Sequence, residues 1–127
     1  MIIADTDVLI DFLAGKDPGA GRVERVLEDG ILYTTVITSF ELLSGSKNLK
    51  QNEKVQQLLA GLKILILDGP AAERAAEIRR SLDQKGNGIG MADSLIAGMV
   101  MEHRGNLLTR NHRHFNRVPG LKLTSWD

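Results

Sequence analysis

Two aspartates one residue apart, Asp5 and Asp7, follow the apolar run Ile2, Ile3, Ala4 and precede Val8, Leu9, Phe12 and Leu13 at helical spacing. The run fits a short strand buried on both faces, and the pattern after it fits a helix that stops at Gly15. Two carboxylates therefore stand at the carboxyl end of a strand, which is where open α/β sheets bind ligands. Charges this close repel unless a cation or hydrogen-bond donors compensate them, so a metal ion is the first ligand to consider. The competing role is local: Asp5 or Asp7 caps the first helix. From this stretch alone the two roles stand level.

Four more positions have oxygen chemistry to offer. Glu41 follows a second strand, yet Thr38 and Glu41 also match the S/T-x-x-E capping box, in which the glutamate only bonds backbone. Asp68 follows a third strand, but Asp68-Gly69-Pro70 is so complete a helix-start signal that it is assigned to capping. Asp93 lies in a helix with Met91, Ala92, Leu95, Ile96, Ala97, Met99, Val100 and Met101, apolar almost all round and so expected to be buried. An unpaired carboxylate there costs on the order of several kcal/mol, whereas the helix dipole returns only about 0.3–1 kcal/mol. Asp93 is therefore expected to face a cation or a water-filled cleft. Asn111, with Thr109, follows a fourth strand, where turn chemistry alone would also explain an asparagine.

The elements that must position these groups alternate along the chain. Strands are expected at 2–4, 31–36, 64–67, 107–109 and 121–124. Helices are expected from Val8 to Gly15, around Val23, Val26 and Leu27, from Thr38 or Ser39 to Gly45, from Asn48 to Leu62, after Asp68, and over 91–103. Residues 17–21 and the glycines at 86, 88 and 90 read as loops. Such alternation implies one α/β domain over 1–127, a mostly parallel sheet with helices on both faces. If that sheet brings the ends of strands one, two and four together, Asp5, Glu41, Asp93 and Asn111 converge. An oxygen-only pocket of that kind suits Mg²⁺ or Mn²⁺ rather than zinc.

Composition narrows the classes. Cysteine is absent, which excludes disulfides and thiolate metal sites and suits a reducing compartment. No apolar run approaches membrane-spanning length and no leader pattern opens the chain, so a soluble cytoplasmic protein is expected. The 16 basic and 16 acidic residues balance, but their distribution does not. Between His103 and Trp126 there is no acid, while Arg104, Arg110, Arg113, Arg117 and Lys122 lie there with the three histidines. Such a segment is either a solvated face or the phosphate-facing half of a site whose other half is acidic. Phe12 and Phe40 are assigned to the core, which leaves too few aromatics for a base-stacking platform.

Together these segments resemble PIN-domain proteins, specifically the ribonuclease toxins of VapBC-type toxin–antitoxin pairs. The matching pieces are Asp5-Thr6-Asp7-Val8-Leu9-Ile10-Asp11, Ser39-Phe40-Glu41-Leu42, Ile89 four residues before Asp93, Asp93-Ser94-Leu95-Ile96-Ala97, and Leu108-Thr109-Arg110-Asn111 with His114-Phe115 and Pro119-Gly120-Leu121. Each is short; their order and spacing over nearly the whole chain are specific. The resemblance implies a five-stranded parallel sheet in the order 3-2-1-4-5, metal-binding acids at Asp5, Glu41 and Asp93, and a fourth site position at Asn111. Asp7 stands where asparagine is common, which adds negative charge, and Asn111 where many relatives have aspartate, which removes it and argues against two ions bound tightly before substrate arrives.

The resemblance further implies a Mg²⁺-dependent endoribonuclease, with Mn²⁺ as a possible substitute, a small antitoxin partner and a homodimer. Asp5 and Asp93 would be the principal ligands, Glu41 a ligand or a base, and Asn111 an orienter, with Thr6 and Thr109 as supporting polar groups. Arg110, Arg113 and Arg117 are candidates for backbone phosphate contacts. His112 and His114 are set aside as metal ligands. Two rival readings use the same acids. A haloacid-dehalogenase-like phosphatase would use Asp5 as nucleophile, and a receiver domain would use Asp68 as phosphoacceptor with Thr109 nearby. The first is opposed by Leu9, which stands where that motif favours Thr or Val, and the second leaves Glu41 and Asp93 without a role.

Overall fold

The computed structural model describes residues 1–124. Its elements run β1 (Ile2–Ala4), α1 (Thr6–Ala14), α2 (Gly19–Asp29), β2 (Leu32–Thr35), α3 (Val36–Ser44) and α4 (Leu49–Ala60). They continue with β3 (Lys63–Leu65), α5 (Gly69–Gln84), α6 (Met91–Glu102), β4 (Asn106–Leu108), α7 (His112–Phe115) and β5 (Lys122–Leu123). The strands form one parallel sheet in the order β3-β2-β1-β4-β5, as the resemblance implies. Ala4 pairs with both Thr34 and Leu108, so the carboxyl ends of β1, β2 and β4 lie side by side.

Side chains alternate across the central strands and divide the core into two layers. Ile3 and Leu107 face one layer, filled by Ile96, Met99 and Val100 of α6 and by Phe115. Ala4 and Leu108 face the other, filled by Val8 and Leu9 of α1, Val23, Leu42 and Val55. The apolar run at 2–4 is thus covered on both sides, which is why it carries no polar residue. Helix starts follow capping chemistry: Thr35, Asn48 and Asp68 each accept a backbone N–H at the start of α3, α4 and α5. Asp68 takes its bond from Ala71 N at 3.0 Å, in the capping role expected of it.

Several local expectations are corrected. The third strand ends at Leu65 rather than at 67, because β3 is an edge strand paired only with β2, and β2 ends at Thr35 opposite Leu65. Ile66 is accordingly 68% exposed. Helix α2 begins at Gly19, inside a stretch read as loop. Helix α3 begins at Val36, earlier than Thr38. The one-turn helix α7 was not anticipated, being too short for periodicity to register. Phe40 is 68% exposed and Leu49 84% exposed, so neither belongs to the core. Phe40 is two residues from both Thr38 and Leu42, the buried positions of α3, and so points away from that face; Leu49 is likewise off the face that buries Val55. Trp126 lies outside the described residues.

Helix α6 is pressed against α5 at Gly98. A Cβ there would come 2.8 Å from Ala75 Cβ and Ala75 N and 2.9 Å from Ala71 O, two of them backbone atoms that cannot step aside. Gly98→Ala is therefore expected to destabilise the fold by about 1–3 kcal/mol, despite alanine's better helix propensity. Urea unfolding checks this: the midpoint should fall with an unchanged slope.

Candidate functional site

Asp5 is the residue at which β1 becomes α1. Its backbone N–H still belongs to the sheet, donating to Leu108 O at 2.9 Å, while its side chain is the N-cap of α1, with Oδ1 accepting from Thr6 N at 2.8 Å. The cap role and the site role are therefore not alternatives: Oδ1 does the first and Oδ2 is left for the second. Oδ2 accepts from Thr109 Oγ1 at 2.7 Å, across from the end of β4.

From Asp5 the contacts extend in both directions. Thr6 Oγ1 donates to Glu41 Oε1 at 2.7 Å and lies 3.0 Å from Thr38 Oγ1. Helix α3 is capped by Thr35, whose Oγ1 accepts from Thr38 N at 3.1 Å, so Glu41 is not needed as a capping-box partner and its carboxylate faces the site. On the other side, Thr109 Oγ1 accepts from Asn111 N at 3.0 Å. Asn111 Nδ2 is 3.0 Å from His114 Nδ1, which is 3.3 Å from Asp93 Oδ2. Glu41, Thr6, Asp5, Thr109, Asn111, His114 and Asp93 thus form one continuous chain of polar contacts. It is drawn from α3, α1, β1, the β4–α7 turn, α7 and α6.

His114, set aside as a metal ligand on sequence grounds, instead stands between Asn111 and Asp93. The one-turn helix α7 brings it back beside Asn111, three residues away, and only recognition of that turn could have paired them. Thr38 and the buried Asp11 were missed. Of the arginines expected to contact phosphate, Arg113 is exposed. Arg117 Nη1 donates to Gly88 O at 3.1 Å, and Arg110 Nε pairs with Asp11 Oδ2 at 2.7 Å. An open cavity of about 420 Å³ adjoins Glu41, lined among others by Ile10, Leu13, Leu42, Lys54 and Val55.

The electrostatics indicate a missing positive charge. Burial, reinforced by the charge of Asp7 and more weakly that of Asp93, pushes the Asp5 carboxyl up to about 7, against the hydrogen bonds from Thr109 and Thr6. Burial likewise raises Asp7, opposed by the Arg110 backbone N–H and guanidinium. Asp7 Oδ1 is buried without a hydrogen-bond partner among the described residues. An orphaned carboxylate oxygen beside a second strained carboxyl is what a divalent cation would satisfy, and the donors are all oxygen, as a hard ion prefers. Among the described residues no three His, Cys, Asp or Glu side chains form a ready-made cage. An ion here would have few direct protein ligands and complete its shell with water, which fits a cation that dehydrates reluctantly.

The sequence profile of the PIN domain family matches residues 2–121. The chain belongs to the PIN domain family. Within it the near relatives are VapC ribonucleases. The tRNA(fMet)-specific endonuclease VapC of Salmonella typhimurium is 32% identical over 126 residues, covering 96% of this chain and 95% of the relative. Ribonuclease VapC2 of Rickettsia felis is 30% identical over 129 residues, covering 97% and 96%. Among solved structures, VapBC2 from Rickettsia felis bound to a promoter DNA fragment contains a chain that superposes with a TM-score of 0.85 at 29% identity, with full coverage of both chains. The PIN domain here is accordingly an endoribonuclease of the VapC toxin type. PIN-domain nucleases work with divalent metal ions, in keeping with the oxygen-only donor set. The family match displaces the phosphatase and receiver readings, and Asp68, the receiver's phosphoacceptor, is bound as a helix cap. No helix among the described residues is long and apolar enough to cross a membrane.

The raised Asp5 has a consequence for stability in the absence of metal. The folded protein holds this proton up to about pH 7, whereas the unfolded chain releases it near the ordinary aspartate value of 3.8. Between those values the folded state binds more protons, so this group's contribution to stability falls as pH rises and the penalty is complete above the folded pKa. In EDTA, the melting temperature of Asp5→Asn is expected to rise relative to wild type as pH goes from 4 to 7. A difference that shrinks or stays constant over that window would contradict the assigned environment.

Proposed function

We propose that the chain acts as a single PIN domain over 1–127 that hydrolyses RNA phosphodiester bonds with Mg²⁺, for which Mn²⁺ can substitute. The observation that carries this reading is the run of polar contacts that takes in Asp5, Glu41, Asp93 and Asn111 beside the carboxyl end of β1, in a chain of VapC type. Asp5 and Asp93 are the principal metal ligands, and Glu41 is either a further ligand or the base for the attacking water. When bound, the ion supplies a Lewis acid for the phosphoryl oxygens and lowers the pKa of an attacking water.

The side chains divide the remaining work. As the base, Glu41, which accepts from Thr6, takes a proton from the attacking water. Asn111 orients groups in the site through its amide, and Thr6 and Thr109 hold the acids in register. Arg110, Arg113 and Arg117 contact backbone phosphates, which position the substrate without reading its sequence. With no stacking platform assigned, RNA selection rests on shape and a few polar contacts.

A small antitoxin partner blocks the active-site groove, and the protein works as a homodimer in the cytoplasm, where its RNA substrate is found. The antitoxin is supported by structural neighbours that are VapBC complexes, including VapBC from Salmonella typhimurium bound to DNA.

Cleavage of a panel of structured RNAs tests the reading. The expected products carry 5′-phosphate and 3′-hydroxyl ends, with activity abolished by EDTA and restored by Mg²⁺ or Mn²⁺. Asp5→Asn and Asp93→Asn are each expected to cut more than about a hundredfold more slowly, beyond the loss typical of an outer-shell partner. Undiminished cutting by either variant would remove its assignment as a ligand.

A further inference from the structure

Arg110 sits between Thr109, which bonds Asp5, and Asn111. Its backbone N–H donates to Asp7 Oδ2 at 3.0 Å, which ties the residue to the rim of the acidic network. Its side chain then turns along α1, and Nε meets Asp11 Oδ2 at 2.7 Å. Asp7 and Asp11 are one helical turn apart, so one face of α1 holds both the backbone and the side chain of Arg110.

The two partners differ in freedom. The Asp11 side chain is 6% exposed and the Arg110 side chain 47%. Asp11 is walled in by α2: a Cβ on Gly19 would come 2.5 Å from Asp11 Oδ2 and 2.7 Å from Asp11 Cβ. That close approach also explains why α2 begins with a glycine where a loop was expected. Arginine offers five N–H donors in a rigid plane. With Nε committed to a fixed carboxylate, the Nη edge remains, on a side chain half in solvent. A planar donor pair of that kind matches two phosphate oxygens.

We propose that Asp11 is a positioning residue that holds the Arg110 guanidinium as a preformed clamp for an RNA phosphate flanking the scissile bond. The proposal deepens the reading of the chain as a ribonuclease and rests on it. Asp11 itself does not touch RNA. It removes rotamer freedom from Arg110 before the substrate arrives, so its effect belongs to substrate capture rather than to the chemical step.

The test uses a fluorophore-quencher RNA stem-loop, steady-state kinetics in Mg²⁺ over a range of salt concentrations, and melting temperatures of each variant. Asp11→Asn and Arg110→Gln are each expected to raise KM about fivefold to tenfold while kcat stays within about twofold. Asp11→Asn should add nothing further in the Arg110→Gln background. The log–log dependence of kcat/KM on salt should be shallower in Arg110→Gln by about 0.7, one phosphate contact on a single strand. Gly19→Ala, which displaces the Asp11 carboxylate while keeping both charges, should raise KM in the same direction and carries the test if Asp11→Asn does not fold.

An Asp11→Asn protein with a lowered melting temperature but wild-type KM and salt dependence would overturn the proposal, as would additive effects in the double variant. A wild-type chain that neither binds nor cuts any RNA would overturn the ribonuclease reading and this proposal with it. That result is distinct from a wild type that cuts and an Asp11→Asn that matches it.

Discussion

The structure depends on keeping a buried carboxylate at the point where a central strand turns into a helix. Asp5 is 6% exposed and has Asp7 two residues on and the charge of Asp93 nearby. Removing such a group from water costs on the order of several kcal/mol unless it is compensated. The fold compensates in part with donors: Thr6 N on one oxygen and Thr109 Oγ1 on the other. The rest of the cost stands as a carboxyl pushed toward neutrality and an Asp7 oxygen without a partner among the described residues. Such a balance of charge favours a cation beside Asp5 and Asp7 over a further anion.

The surrounding architecture serves this point. The order β3-β2-β1-β4-β5 puts β1 in the centre, so that residues after β1, β2 and β4 can meet. Threonines do much of the joining. Thr34 ties β2 to the Ala4 carbonyl, Thr6 ties α1 to α3, and Thr109 ties β4 to Asp5, each with a hydroxyl that needs no charge of its own. His114 Nδ1 lies within reach of both Asn111 and Asp93, accepting from the first when unprotonated and donating to the second when protonated. The acids are thus joined through neutral groups rather than packed into a ready-made cage.

The parts legible in the sequence are those set by local rules. Asp68-Gly69-Pro70 reads as a helix start because capping is decided within four residues, and the strand at 2–4 is legible because a doubly covered strand tolerates no polar residue. The strand order came through the resemblance, since nothing local orders parallel strands. Glu41 was not decidable alone, because S/T-x-x-E is the same string whether the glutamate bonds backbone or faces a site. In the fold Thr35, one residue before the helix, takes the cap, and the Glu41 carboxylate accepts from Thr6 instead. His114 was hidden by the brevity of α7, and the start of α2 by glycines whose reason is a contact with Asp11, distant in local pattern. Phe40 lies outside the core because its place on α3 is opposite the buried Thr38 and Leu42, a matter of helical period that aromatic character alone does not reveal.

The most direct test of the central claim is anomalous diffraction from crystals of the wild-type chain grown with Mn²⁺. A single strong peak within coordination distance of the Asp5 carboxylate, with Glu41 and Asp93 reaching it directly or through its waters, is the expected result. An empty map at Asp5, or a peak bound only by surface acids elsewhere, would contradict the account.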